Sequence, residues 1–390
     1  MDASNGLIYE FIYTKIRIPS KVMDNHFYSQ LTRQSLGDQS LDGDICLKIL
    51  ASSEVELLSL LHSAFEVRKK YFGKEVLVHI IDNVQNGSCA EDCRYCAQSR
   101  HSQADIIAYA CKSEDEILKE AEHAYKMGAF RHCLVFSGKR AGKDRIQFIA
   151  SVVRKIKENY SMQVCVSAGI LDEESLKILS HAGVDRINHN LNTSQEFYPK
   201  ICTTHTFDDR LKTVHLARQM QLEVCSGIIV GMGEQPEDIV SVAKTLRKYS
   251  VASIPVNFLI PIKGIPIRNA KGLTPEYCLR VLCLMRFLNP SAEIRIAAGR
   301  ELHLRDMQVF GLYPANSLFL DGYLNAKGSD HMKTLQMIKD AGFAIKSDHG
   351  LDELLCKEEG LDQQECRADE IVMKNLQELR PNLNKVQTKE

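Results

Sequence analysis

The sequence has almost no net charge: 49 Lys and Arg stand against 50 Asp and Glu, a formal charge of -1. It therefore makes no electrostatic case for nucleic acid or for an anionic membrane surface, both of which are held by clustered excess cation. It has no apolar run near the roughly 20 residues that span a bilayer. Its first residues, MDASNGLIYEFIYTKIRIPSK, lack the basic start and long apolar stretch of a secretory signal. Asp2 and Glu10 fit poorly with a mitochondrial transit peptide, which is acid-poor. The expectation left is a cytoplasmic chain with neither a membrane nor a nucleic-acid partner. At 390 residues, 44% hydrophobic and 25% charged, it is long enough for one large barrel or two ordinary domains.

Cysteine, by contrast, is abundant, with 13 residues. Disulfides are disfavoured in the cytosol, so clustered cysteines there point to metal or redox chemistry. Cys46, Cys111, Cys202, Cys278, Cys283, Cys356 and Cys366 show no ligand-like grouping and read as buried or incidental thiols.

Residues 1–45 are polar without strong periodicity and read as an N-terminal tail, partly disordered. A helix is predicted over about 53–71, with Leu57, Leu58, Leu61 and Phe65 on one face. From there short apolar strands alternate with periodic helices. The strands predicted are 76–81, 132–136, 164–167, 185–190, 224–230, 254–259, 294–297 and 317–320. Ser113 and Glu116 form a capping box ahead of one helix. Gly128, Gly183 and Gly342 follow helical runs, where a left-handed cap belongs. Eight strands alternating with helices predict an α/β fold, a (β/α)8 TIM-type barrel over 46–345, with an open doubly wound sheet as the alternative. Residues 346–390 read as a charged C-terminal extension with one helix near 369–379.

The strongest motif is Cys89-Ala-Glu-Asp-Cys93-Arg-Tyr-Cys96, just after the first strand, where barrel active sites are built. With this many cysteines, chance supplies about 0.014 such triplets. Three thiolates on one loop can bind three irons of a cubane and leave the fourth open to a small molecule. A structural zinc site is the rival; it wants four ligands, usually two close pairs, and no second pair lies nearby in the sequence. The triplet resembles that of the radical S-adenosylmethionine (SAM) enzymes. The resemblance implies a 4Fe–4S cluster on Cys89, Cys93 and Cys96, whose open iron is chelated by SAM and whose electron cleaves it to a 5′-deoxyadenosyl radical. It also implies that Tyr95 contacts the adenine.

Three more cysteines lie inside predicted strands: Cys133, Cys165 and Cys225. Strand alternation can point all three inward. Singly each reads as core packing, but Arg295 in Ile-Arg-Ile-Ala-Ala-Gly-Arg changes the balance, because a cation inside a barrel strand is costly unless paired or ligating. Three inner cysteines and one arginine resemble the biotin synthases, over about residues 46–345. That resemblance implies a 2Fe–2S cluster on Cys133, Cys165, Cys225 and Arg295, consumed as the sulfur source when dethiobiotin becomes biotin.

Asn188, Asn190 and Asn192 close the fourth strand and share one side by alternation. A buried amide offers both donors and acceptors, which suits a cyclic urea. By the resemblance, Asn188, Asn190 and Asn257 hold the ureido ring of dethiobiotin, and Asn190 and Asn192 the ribose of SAM. Arg210 pairs the SAM carboxylate, and Ser137 and Gly138 help hold its amino group. Leu324-Asn325-Ala326-Lys327 stands where relatives have a threonine-rich loop for the substrate carboxylate; Asn325 remains there as a donor and Lys327 as a charge. The implied partners are a flavodoxin- or ferredoxin-type electron donor, Fe–S assembly proteins and a second copy in a homodimer. Two other readings stand beside this one: another radical SAM enzyme on the same barrel, such as a hydrogenase-cofactor maturase or a methylornithine-synthase-like mutase, and a non-enzymatic metal-binding or redox-sensing protein.

Overall fold

A computed structural model describes residues 22–357. Its centre is an all-parallel sheet of strands β1 (Glu75–Gln85), β2 (Arg131–Phe136), β3 (Gln163–Ser167), β4 (Arg186–Asn188), β5 (Glu223–Cys225), β6 (Ile228–Val230), β7 (Ser253–Phe258), β8 (Glu293–Ile296) and β9 (Ser317–Phe319). β9 pairs back onto β1, which closes a barrel; β5 and β6 together make one of its eight staves. A two-residue strand, β10 (Ala344–Ile345), adds to the start of β1. Helices cover the outside, so the strands are buried on both faces and read as near-continuous apolar runs. The predicted capping box at Ser113 and Glu116 is present, and Gly128, Gly183 and Gly342 all have φ between 70° and 88°.

Three staves depart from the sequence reading, and the fourth, expected over 185–190, spans only Arg186–Asn188. β1 runs four residues further than predicted, because Asp82 is drawn into the sheet by Lys112, 2.7 Å away. The fifth stave, expected over 224–230, is interrupted at Ser226 and Gly227. A Cβ on Gly227 would lie 2.0 Å from the Pro255 carbonyl, so only glycine permits β7 to approach there. The Gly227 N–H leaves the ladder and donates to Asn190 Oδ1 at 2.9 Å.

The polar stretch before residue 46 is not an irregular tail where it is described. It forms α1 (Asn25–Leu36) and the start of α2 (Gly43–Ala51), whose buried residues include Tyr28, Leu31, Cys46, Ile49 and Leu50. α3 (Leu57–Phe72) buries Leu60, Leu61, Ala64 and Val67; Leu58, expected on that face, points to solvent. These helices pack on the helix Pro275–Leu288, whose residues from Cys278 onward are all buried. A helix apolar all round needs such cover on its outer side. Arg280, half-way along it, donates to the Ile49 and Val55 carbonyls, and Ser35 donates to the Phe287 carbonyl at 2.8 Å. The barrel and its N-terminal helices form one compact unit through Leu351, and a second begins at Asp352, of which the short helix Leu351–Lys357 is described. The helix expected near 369–379 lies outside the described residues. No helix among the described residues is long and apolar enough to cross a membrane.

Candidate active site

Strand register assembles the inner part of the site. β2 and β3 pair Cys133 with Cys165, and β4 and β5 pair Asn188 with Cys225. The three sulfurs form one buried cluster flanked by Ile81 and Phe319. Asn188 Nδ2 lies 3.3 Å and Arg295 Nη1 3.7 Å from Cys225 Sγ. Hydrogen bonding from Cys165 outweighs burial and holds the Cys133 and Cys225 thiols below the ordinary range, with the Arg295 charge adding to the effect; Cys165 is pushed up in turn.

Arg295 is held by a buried carboxylate that sequence reasoning missed. Glu293 pairs with Arg295, lies 2.9 Å from Arg131, 2.5 Å from Arg186 and 3.0 Å from His79, and accepts from Ser317 Oγ at 2.8 Å. Burial alone would raise its pKa. The charges of Arg131 and Arg295 and the neighbouring His79 overcome that and hold the carboxyl well below its usual range. Arg295 Nε and Nη2 also donate to Ser317 Oγ and Ser253 Oγ, each at 3.0 Å. The guanidinium is thus fixed along one edge, with Nη1 left toward the sulfurs. Charged residues at the starts of several strands were the available signal.

The outer part lies at the carboxyl ends of the strands. A cavity of about 400 Å³ is lined by Cys89, Cys93, Tyr95 and Cys96, by Ser137, Gly138, Asn190, Asn192 and Arg210, and below by Cys133, Cys165, Asn188, Asn257 and Arg295. Asn325 lines it too, whereas Lys327 lines a neighbouring cavity. Cys225 sits behind this lining, joined to it through Arg295 and Asn188. The asparagines reach the cavity by a route other than strand alternation. β4 ends at Asn188, and Asn192 adopts φ +70°, a left-handed turn that asparagine tolerates. From there Asn192 Nδ2 donates to the Tyr95 hydroxyl at 2.7 Å.

Several of these side chains already carry structural bonds. Asn257 Nδ2 donates to the Ile228 carbonyl at 3.1 Å, and its Oδ1 accepts from Ala298 N–H at 3.2 Å. Ser137 Oγ donates to the Gly87 carbonyl at 3.0 Å, and Asn325 Oδ1 accepts from Asn86 at 2.8 Å. Arg210 Nη1 donates to the Asn190 carbonyl at 3.0 Å, and its Nε to the Tyr198 hydroxyl at 2.5 Å and to His205 Nε2 at 3.2 Å.

The triplet loop is stitched to the segment after β4. Arg94 N–H donates to the Ile201 carbonyl at 2.9 Å, and Asp92 Oδ1 accepts from Thr203 N–H at 2.9 Å and Thr204 N–H at 3.2 Å. This brings in Cys202, which the sequence reading passed over as an incidental thiol: its Sγ lies 3.8 Å from Cys93 Sγ. Zinc was set aside for want of a second ligand pair, yet Cys202 and His205 form one beside Cys93. Nothing in the spacing signals it, since 109 residues separate Cys202 from Cys93.

The donor sets suit the groups the sequence implies. The outer three cysteines are free thiols on one loop facing a cavity. Among the described residues, Cys93, Cys202 and His205 are the donors close enough together to hold a single ion. The inner three sulfurs are spread more widely, as a cluster of several atoms requires.

The chain matches the family described as Radical SAM superfamily over residues 86–246, and that described as Biotin and Thiamin Synthesis associated domain over residues 255–344. Among solved structures, methylornithine synthase is 20% identical with a TM-score of 0.68, covering 80% of this chain and 96% of that one. The FeFe-hydrogenase maturase HydG from Carboxydothermus hydrogenoformans is 17% identical with a TM-score of 0.69, covering 85% and 82%. At such identities they establish the (β/α)8 fold and nothing finer. Sequence relatives decide between the enzymes that share it. The biotin synthase of Magnetococcus marinus is 49% identical over 81% of this chain and 98% of its own length. That of Acaryochloris marina is 50% identical over 78% and 88%. An identity this high, sustained across nearly the whole length of those enzymes, places the chain in the biotin synthase family of radical SAM enzymes.

Proposed function

We propose that Cys89, Cys93 and Cys96 hold a 4Fe–4S cluster, that Cys133, Cys165, Cys225 and Arg295 hold a 2Fe–2S cluster, and that sulfur is inserted between two unactivated carbons of dethiobiotin in the cavity between them. The observation that carries this is the convergence of three buried sulfurs and a fixed guanidinium beneath the cysteine triplet, with Cys133, Cys165 and Arg295 lining the same cavity as the triplet and Cys225 directly behind them. When bound, the outer cluster with SAM supplies the radical chemistry that opens a C–H bond, and the inner cluster supplies the sulfur.

The chain's own residues position and shield. Arg210, half-buried and braced by Tyr198 and the Asn190 carbonyl, takes the SAM carboxylate, and the loop at Ser137 and Gly138 its amino group. Tyr95 and Asn192, joined by their hydrogen bond, flank the adenosine, and Asn190 shares the ribose hydroxyls. Asn188, Asn190 and Asn257 offer amide groups to the ureido ring; the bonds that Asn257 makes to Ile228 and Ala298 set its orientation before substrate arrives. Asn325 serves the carboxylate end of the substrate. The apolar lining from Ile81, Val135, Pro255 and Phe319 excludes water from the reacting carbons. A flavodoxin- or ferredoxin-type donor, Fe–S assembly proteins, a homodimeric state and a cytoplasmic location complete the reading, on the resemblance to the family.

The test is anaerobic. The protein is reconstituted with iron and sulfide, given SAM and a reductant, and deoxyadenosine is measured with and without dethiobiotin, with biotin assayed in the same tube. Dethiobiotin-dependent deoxyadenosine together with biotin is expected. Deoxyadenosine that ignores dethiobiotin, with no biotin, would keep the radical chemistry and overturn the substrate.

A further inference from the structure

Cys202 and His205 have no part in the chemistry above, yet with Cys93 they form a compact set of metal-ligating side chains. All three are buried, with exposures of 7% for Cys93, 3% for Cys202 and 6% for His205. Their ligating atoms lie within 4.8 Å of one another.

The spacing of the two sulfurs is that of a single tetrahedral ion. With Zn–S bonds of about 2.3 Å and Zn–N bonds of about 2.0–2.1 Å, the edges of a zinc tetrahedron are about 3.8 Å between sulfurs and about 3.6 Å between sulfur and nitrogen. Cys93 and Cys202 stand 3.8 Å apart, the sulfur–sulfur edge; Cys202 Sγ lies 3.3 Å from His205 Nδ1 and 3.7 Å from Nε2, beside the ring, so the imidazole has to turn to aim a nitrogen at an ion held by both sulfurs. Glu91 is bonded to His205 Nδ1, so Nε2 is the nitrogen left for an ion. A carboxylate behind a ligating histidine fixes its tautomer and raises its basicity. Arg210 Nε, which donates to both Nε2 and Tyr198, keeps the Tyr198 bond when the ion takes the nitrogen. Two thiolates and an imidazole suit a borderline-soft divalent ion, and the fourth position is left to water.

We infer that the cluster-free protein carries a zinc-class divalent cation site on Cys93, Cys202 and His205, and that this ion and the iron–sulfur cluster of the triplet loop exclude one another. Binding releases the two thiol protons to solvent and involves no electron transfer. Exclusion follows from sharing Cys93: a thiolate given to zinc is withheld from iron. The exclusion, unlike the zinc site itself, rests on the proposed role of Cys93 as a cluster ligand. The ion would brace the triplet loop against the segment after β4 before cluster assembly, and assembly would have to displace it.

The experiment uses the full chain, freed of iron and sulfide under reducing anaerobic conditions. Zn²⁺ is titrated against a chromogenic chelator, and Co²⁺ serves as the spectroscopic substitute. One tight ion per chain is expected, with the intense visible bands of tetrahedral cobalt and thiolate-to-cobalt charge transfer. Cys202→Val and His205→Ala should each weaken zinc by about 100-fold or more, because each removes one of three protein ligands. Cys89→Ala and Cys165→Ala should leave the affinity within about twofold, because each removes a thiol from a different set. Circular dichroism checks the fold of every variant, and Cys202→Ser stands in if Cys202→Val does not fold. Affinity lost with Cys89→Ala or Cys165→Ala but kept in Cys202→Val would overturn the site, as would no tight ion in the parent chain. A second arm adds iron and sulfide to zinc-loaded protein. The triplet-loop 4Fe–4S cluster, read by Mössbauer spectroscopy apart from the inner cluster, should be blocked in the parent chain and restored in Cys202→Val. A triplet-loop 4Fe–4S cluster formed with zinc retained would overturn the exclusion and the role of Cys93 together, while leaving the zinc site standing.

Discussion

Glu293 and Arg295 stand two residues apart on β8 with both side chains turned into the barrel, where they form a fully buried ion pair. Removing one partner of such a pair leaves an uncompensated buried charge. Glu293→Gln leaves Arg131, Arg186 and Arg295 without their shared anion. The expected loss is about 3 kcal/mol or more in denaturant unfolding of the cluster-free chain. Iron and sulfide analysis after reconstitution should also show a deficit confined to the inner cluster, since Arg295 loses the edge that orients it.

Gly227→Ala tests the interruption between β5 and β6. The new Cβ would meet the Pro255 carbonyl oxygen at 2.0 Å and the Pro255 ring at 2.7 Å, contacts that a strand backbone cannot relieve locally. A destabilisation of about 3 kcal/mol is expected in thermal unfolding. The shift of Gly227 N–H also loosens Asn190, so dethiobiotin affinity should fall in whatever protein remains folded.

Arg210→Lys keeps the charge and removes the fork. Lysine cannot serve Tyr198 and the Asn190 carbonyl while also meeting a carboxylate in two-pronged fashion. The KM for SAM should rise about tenfold, measured by deoxyadenosine release at saturating dethiobiotin, the equivalent of about 1.4 kcal/mol. An unchanged KM would remove Arg210 from the carboxylate site.

Asp82 carries a pH signature. Burial raises its pKa to about 6 from 3.8, with Lys112 pulling the other way. The folded state therefore holds this proton more tightly than the unfolded state. Its contribution to stability is greatest below about pH 4 and is lost as pH rises through about 6. Asp82→Asn abolishes that slope. The stability of the variant minus that of the parent should move in favour of the variant by about 2 kcal/mol at most between pH 4 and pH 7, read from urea unfolding at each pH.

The eight staves are legible in the sequence because a parallel barrel buries both faces, so each strand is a short apolar run between two helical patterns. The break at Gly227 is not, because Val224–Cys225 and Ile228–Val230 have the same strand preference on either side of it. α1 escapes notice because Tyr28, Leu31 and Ser35 are its only buried positions, too few to mark a periodic face. The cysteine triplet declares itself by spacing. The partners of Glu293 come from β1, β2, β4, β8 and β9, and Cys202 from a segment over a hundred residues away from Cys93, so only folding brings either group together.

The charged hub around Glu293 lies at the amino ends of the strands and is sealed from solvent, with Arg131 and Glu293 at 0% and 2% exposure. Among the described residues the barrel is thus closed at this end, and its cavity reaches the triplet loop at the other. If the outer occupant fills that mouth, whatever rests on the inner sulfurs arrives before it and leaves after it. Product escape is therefore gated by departure of the molecule above it, so a slowly released outer ligand would set the turnover rate even where the bond-making steps below are fast.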